Sequence, residues 1–404
     1  MSPFTRYGAR SALAALAASG LFAVWWMTDR PTFEDLGIYL GSIRAVASGQ
    51  GLYSFSDHLG GGFTYPPLAA LLLWPVALLP WSLTVVGTAW AAVILVTVLG
   101  GVVALSREQP GRQEWQAWLP ALFVVTVGSQ PVRDALHFGQ LSPIVGLLTV
   151  CAPLLILRAG IPVGLAAGLK LTPAATWGIW ILQRRWRLLT ESIATFGLLA
   201  ALAWAVLPAE SHAYWSTLLW DSQRVGDLGS LGNNSWLGLA SRHLTGAPAA
   251  AVWATGVLAC LVLVARHAHR ARPGTVDLWT SIVAGYLLAL IASPVSWTHH
   301  ATFLAPLALL VALRTHGCRR AAALACCIIW MVPIYALAKA ADGWAADAGA
   351  LVADLRPVSL LALFAILLVR HPATSCVPET AEPPVGVVVR GAPDPKSERA
   401  SDLH

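Results

Sequence analysis

The sequence predicts an all-α polytopic membrane protein, and three observations carry that prediction. Hydrophobic residues fill 57% of the 404 positions and charged residues only 11%, with a mean hydropathy of +0.65; a soluble domain carries roughly 25% charged residues. Apolar windows near 20 residues, each able to cross a hydrocarbon layer about 30 Å thick, recur from end to end. Arginines gather in short loops between those windows: Arg184, Arg185 and Arg187, then Arg266, Arg270 and Arg272, then Arg314, Arg319 and Arg320. Basic loops alternating with acid-bearing ones are the positive-inside pattern. The net charge of +6 is therefore a topology signal. It implies no nucleic acid, and it makes anionic lipid headgroups a secondary partner.

Taken in order, residues 11–27 follow Arg6 and Arg10 and read as a retained first helix leaving a cytoplasmic N-terminus. Residues 29–65 form a first extracytoplasmic loop, with Asp29, Glu34, Asp35 and Asp57 against Arg30 and Arg44. Within it, 35–48 predicts a short amphipathic helix whose apolar side is Leu36, Ile38, Tyr39, Leu40 and Ile43. Such a helix lies in the interface rather than crossing. Gly49 ends it, and 60–62 is a flexible turn.

Two apolar runs broken at Pro80 occupy 66–105, a third covers 116–129, and 130–141 is polar for its surroundings. Runs at 142–157, 161–182 and 188–207 follow. The second of these leaves two topologies open. Either 161–182 is one span with Lys170 near its middle, or 170–173 breaks it into two short helices and 66–80 is re-entrant. Both give about twelve spans, and they differ in the side on which 137–140 and Lys170 lie.

Residues 208–245 form a second extracytoplasmic loop, and spans follow near 247–265, 277–292, 301–314, 319–338 and 355–370. From His371 the chain is Pro-, Glu- and Ser-rich without periodicity, which predicts a transmembrane domain over 1–370 and a disordered cytoplasmic tail over 371–404. The six cysteines show no CxxC spacing, so neither a metal framework nor a disulfide pattern is indicated. His267 and His269 read as solvated loop residues.

Only 20 carboxylates occur in the chain, which makes the adjacent pair Glu34 and Asp35 worth weighing as a site. With this topology Tyr65, Asp221, Arg224, Asn233, Asn234 and 297–300 gather on the same side. Polar groups at a membrane boundary are functional hypotheses by default. A carboxylate base, histidines, a cation and amides would suit sugar transfer from a lipid-linked phosphate: the base takes the acceptor's proton and the cation steadies the leaving phosphate. Each member also has a plainer explanation. Paired acids mark the water side of a helix end, and Lys170 can snorkel to a headgroup. His299 and His300 can bind neighbouring helices, Asn233–Asn234 after Gly232 can be an ordinary turn, and tryptophans form interfacial belts.

Seven motifs carry a resemblance: FEDLGIY (33–39), FTYPP (63–67), HFGQLS (137–142), GLKLTP (168–173), RVG (224–226), GNNSW (232–236) and SPVSWTHH (293–300). In this order they resemble glycosyltransferase family 87, polyprenol-phosphate-mannose-dependent α-mannosyltransferases of the GT-C fold, and the resemblance covers roughly 20–340. It implies about twelve transmembrane helices, a lipid-linked sugar donor and a glycolipid acceptor. The implied reaction is inverting transfer of mannose to the 2-hydroxyl of a mannose on a phosphatidylinositol mannoside. The wording of GNNSW and SPVSWTHH resembles the branch that extends a tetramannoside by one α-1,2 mannose. The active site would lie on the extracytoplasmic side of the plasma membrane, with no cofactor and no metal.

The resemblance makes Asp35 the general base, puts His299 beside it and the donor phosphate with His300 in support, and offers Lys170 and Arg224 as phosphate ligands. It leaves Glu34, Tyr39, Tyr65, Gln140, Asp221, Asn233, Asn234 and Trp297 as substrate contacts. The chain departs from the family wording at His137, Ser142 and Asn234, which bears on the acceptor rather than the chemistry. An enzyme that branches lipomannan and lipoarabinomannan is the alternative within the same chemistry. A lipid transporter or flippase is the alternative outside it, disfavoured because the two halves show no repeat.

Overall fold

The computed structural model describes residues 30–58, 60–108, 115–271, 276–345 and 347–369. The expected first helix at 11–27, Asp29, Arg272 and the tail from His371 with Cys376 lie outside the described residues. Among the described residues every regular element is a helix.

The first, α1 (Glu34–Ala47), matches the expected interfacial helix and starts one residue earlier. Glu34 and Asp35 sit in its first turn and Arg44 in its last, the signs that the helix dipole favours. Its start is forced. Phe33 has φ 52°, a left-handed conformation that costs a non-glycine residue about 1–3 kcal/mol. The Phe33 ring is buried and its N–H donates to the His137 carbonyl at 2.9 Å, which holds the entry angle. Gly49, with φ 86°, lies just past the end.

Then come α2 (Pro67–Ala77), α3 (Leu83–Ser106), α4 (Trp115–Gly128), α5 (Gln130–Phe138) and α6 (Ser142–Gly146), which continues through one turn of π-helix and one of 3₁₀-helix to Leu154. The polar stretch at 130–141 is thus mostly helix, with Pro131 tolerated in the first turn. Next are α7 (Gly160–Leu169) and α8 (Ala175–Leu182), separated by a 3₁₀ turn at Thr172–Ala174. The break at 170–173 that one of the two open topologies assumed is observed. Pro173 disfavours helix at Thr172, and Lys170 takes an extended backbone, φ −152° and ψ 124°.

α9 (Trp186–Val206) lies against α7 in the manner of membrane helices. A Cβ on Gly160 would stand 2.3 Å from the Leu188 carbonyl and one on Gly164 2.3 Å from that of Ser192, so only glycine allows the approach. The loop expected over 208–245 is largely folded: α10 (Pro208–Ser216), two 3₁₀ turns, and α11 (Trp236–His243). α12 (Ala247–Arg270) follows, then α13 (Leu278–Ala292), which Asp277 caps through the Thr280 N–H at 2.6 Å. Every residue of α13 from Trp279 to Ile291 is buried, as expected for a helix apolar on all sides. It stops at Ser293 before Pro294, and so delivers 293–300 from the centre of the protein.

The remaining helices are α14 (Leu304–Leu313), α15 (Gly317–Met331), α16 (Ile334–Asp342), α17 (Ala348–Ala353) and α18 (Leu355–Leu368). The run at 319–338, expected as one span, is bent by 77° between α15 and α16, where Pro333 interrupts the hydrogen-bond ladder. By length and composition four helices can cross a membrane, or five if that bent pair is one span: α3, α9, α12 and α17–α18 join it, alongside several apolar helices of 10–17 residues. Leu198, Leu202 and Leu258 project apolar surface outward from α9 and α12. This is a helical membrane protein.

Candidate active site

A cavity of about 1200 Å³ opens where α1, α5, the Lys170 break and the 293–300 segment converge. Eleven of the candidate residues line it: Glu34, Asp35, Tyr39, Tyr65, Gln140, Lys170, Asp221, Arg224, Trp297, His299 and His300. Asn233 and Asn234 do not.

Asp35 and Tyr39 lie four residues apart on one face of α1. Gln140 meets both. Its Oε1 accepts from the Tyr39 hydroxyl at 3.0 Å and from the Tyr65 hydroxyl at 3.1 Å. Two donors on one oxygen fix the orientation of the amide, so Nε2 faces Asp35 and donates to its carboxylate. The two tyrosine rings pack edge to face at 5.3 Å, and the Trp90 indole N–H reaches the Gln140 carbonyl at 3.4 Å. Burial pushes the Asp35 carboxyl from 3.8 up to about 6, against the hydrogen bond from Gln140, which holds it down. Glu34 and Asp57 add to the rise, and Lys170 opposes it. The contact between Gln140 and Asp35 brings the end of the 137–140 segment against α1.

Opposite the carboxylate, the extended backbone at Lys170 turns its side chain into the cavity. Its Nζ touches His300 Nε2 and lies 5.1 Å from the centre of the Tyr65 ring. His299 is buried and packs edge-on to His300 at 4.7 Å. The 297–300 turn is itself held: the Trp297 N–H donates to His300 Nδ1 at 3.2 Å, and the Tyr286 hydroxyl donates to the His300 carbonyl at 2.9 Å. Trp297 packs against the RVG turn. A Cβ on Gly226 would be 2.5 Å from the indole, and φ 145° there favours glycine in any case.

Arg224 reaches the cavity through backbone anchors, its Nη1 donating to the Phe63 carbonyl at 2.8 Å and Nη2 to that of Thr64 at 3.4 Å. It also sits 5.7 Å from the Tyr53 ring centre. Glu34 is half-buried at the rim, and exposed Asp221 accepts from the Gln223 N–H in its own turn.

Asn233 and Asn234, read from sequence as substrate contacts, instead lock two loops together. Asn233 Nδ2 donates to the Leu228 and Pro294 carbonyls, both at 3.0 Å, while its Oδ1 accepts from the Ser235 and Ser296 N–H groups. The Asn234 amide donates to the Gly232 and Ser296 carbonyls. Both are buried. They hold the segment that presents Trp297, His299 and His300.

Among the cavity residues that sequence reasoning missed are Gln130, Asp134 and Arg356. Arg356 stands at the start of an apolar span, and an ionisable residue inside such a run was the available signal. Among the described residues no group of three or more His, Cys, Asp or Glu is arranged to hold a metal ion.

Comparison with known proteins points one way. The model of glycosyltransferase family 87 matches residues 63–294. A polyprenol-phosphate-mannose-dependent alpha-(1-2)-phosphatidylinositol pentamannoside mannosyltransferase of Mycolicibacterium smegmatis is 33% identical over 285 residues, covering 68% of each chain. A protein of the same name from Mycobacterium tuberculosis is 29% identical over 309 residues, 74% of this chain and 68% of the relative. A phosphatidylinositol mannoside mannosyltransferase of M. smegmatis, also polyprenol-phosphate-mannose-dependent, is 29% identical over 356 residues, 81% of this chain and 79% of that one. No solved structure matches.

Proposed function

Since the chain belongs to glycosyltransferase family 87, we propose that it transfers mannose from polyprenol-phosphate-mannose to the 2-hydroxyl of a mannose on a phosphatidylinositol mannoside. The product is α-1,2-linked, and the acceptor is a tetramannoside extended to a pentamannoside. The observation that carries this reading is one cavity in which a base-competent carboxylate faces the Lys170–His300 pair.

In this reaction Asp35 takes the proton of the acceptor hydroxyl as its oxygen attacks the anomeric carbon. The bond from that carbon to the phosphate oxygen breaks on the opposite face. A β-linked donor therefore gives an α product in one displacement, with no covalent intermediate. Lys170 and Arg224 take up the charge that develops on the leaving phosphate, and His299 with His300 orients it beside Asp35. An ionisation near 6 suits a base working close to neutral pH. The reading extends to architecture: a GT-C domain over 1–370 with about twelve spans, its cavity on the extracytoplasmic face of the plasma membrane, and a cytoplasmic tail over 371–404.

The test is a transfer assay with purified protein, polyprenol-phosphate-mannose and a tetramannosylated phosphatidylinositol, with and without EDTA. The expected result is a product one hexose heavier, cleaved by an α-1,2-mannosidase and formed despite EDTA. Activity on lipomannan alone would move the acceptor and keep the chemistry. Transfer to neither would overturn the assignment.

A further inference from the structure

On a wall of the cavity not used in that mechanism, α5 and the start of α18 bring Asp134, Gln130 and Arg356 to the same surface. Arg356 is only 1% exposed. Its Nη1 donates to the Thr298 hydroxyl at 2.8 Å and its Nη2 to the Val332 carbonyl at 3.0 Å, while Nε is buried without a partner. The neighbouring Arg133 donates to the Met331 carbonyl at 3.1 Å. Together the two arginines serve carbonyls freed where Pro333 breaks the helix, which explains part of what Arg356 does. It explains neither its idle Nε nor the carboxylate of Asp134. That carboxylate accepts from Gln130 Nε2 on one oxygen and forms no ion pair within 4.0 Å among the described residues.

On this wall Asp134 keeps one carboxylate oxygen without a protein hydrogen bond, beside a guanidinium whose Nε is idle. The ligand that answers both is neutral and carries adjacent groups that donate and accept, as the hydroxyls of a pyranose do. Position narrows the ligand further. Gln140, the partner of Asp35, lies past the left-handed Gly139 that ends α5, whereas Asp134 lies inside that helix. Asp134 and Asp35 therefore stand on different elements of the cavity wall.

We infer that Asp134, Gln130 and Arg356 bind a non-reacting sugar ring of the acceptor, so that acceptor length is read on this wall while the donor phosphate is held at Lys170. The inference rests on the mannosyltransferase reading, and its test separates the two.

Asp134→Asn keeps the shape of the side chain and removes its charge. Binding of soluble α-linked mannobiose to the detergent-purified full chain is measured by saturation-transfer NMR and calorimetry, and the KM for each substrate is measured in the transfer assay. Loss of a hydrogen bond to a charged group weakens binding by about tenfold. The expected result is mannobiose binding and acceptor KM both worse by that factor, with donor KM unchanged. Mannobiose binding within twofold of wild type, no binding to wild type, or an equal rise in donor KM would each overturn the inference. Asp134-dependent mannobiose binding in a protein that transfers no mannose would leave the inference standing and sink the reaction.

Discussion

At 232–236 the polar side chains point inward and bond mainly to backbone, whereas at 33–39 and 168–173 they point into the cavity and keep hydrogen-bonding capacity. Asn233 satisfies four backbone groups by itself. Asp35 has one amide partner and a carboxyl lifted to about 6 by burial. Both are short polar side chains. What separates them is charge. An amide donates and accepts at once, so it can join two loops without desolvating an ion. A carboxylate can only accept, and holding it half-buried costs stability that catalysis can use. Damage to the first region should therefore appear as lost stability, and damage to the second as lost rate.

The largest effect expected is from Asp35→Asn, which removes the base and keeps the shape. General-base catalysis contributes about 10²–10⁴-fold, so transfer should fall by that factor, measured as kcat at saturating donor and acceptor. Stability should move the other way. A carboxyl raised from 3.8 to about 6 favours the folded state while protonated, and that contribution is lost as pH rises through 6. At neutral pH the ionised group costs at most about 3 kcal/mol. The asparagine variant should therefore unfold at the same temperature as wild type or higher.

Next is Lys170→Met, which removes the cation facing the carboxylate. A loss of about 10²-fold in kcat/KM is expected, together with weaker binding of polyprenol phosphate in a direct titration. Asn233→Ala should invert the pattern. Four backbone groups lose their hydrogen bond to Asn233, with only the Pro294 carbonyl keeping a second donor in Ser235 Oγ, at about 3 kcal/mol overall. Thermal unfolding in detergent should shift down by several degrees, while the folded fraction keeps the wild-type KM for donor. Unfolding at the wild-type temperature would erase the distinction drawn here. The smallest effect is expected from Gln140→Leu. It removes the hydrogen bond that holds the Asp35 carboxyl down, so the acid limb of the pH–rate profile should move to higher pH with the plateau rate little altered.

The contrast also explains what the sequence could and could not disclose. The interfacial helix was legible to within one residue because Leu36, Tyr39 and Ile43 keep a helical period and Gly49 ends it. The break at Lys170 was legible as one of two possibilities, since Pro173 limits the helix locally while parity of the spans depends on distant segments. Asn233 and Asn234 were legible as a motif but not as a lock, because their partners at Pro294 and Ser296 lie about 60 residues away. Asp134 and Arg356 were passed over for the same reason. Arg356 is the one charge in α18 and Asp134 sits beside Arg133 in α5, and the 77° bend at Val332–Pro333 gives Arg356 a backbone partner there.

The account turns on Asp35 being the group that takes the proton, and the most direct measurement is kcat/KM against pH for wild type and for Asp35→Asn side by side. Wild type should show an acid limb that falls tenfold per pH unit below about 6 and levels off above it. The residual rate of the variant should be independent of pH over that range. An acid limb of the same position and slope in Asp35→Asn would assign the ionisation to another group and remove Asp35 from the chemistry.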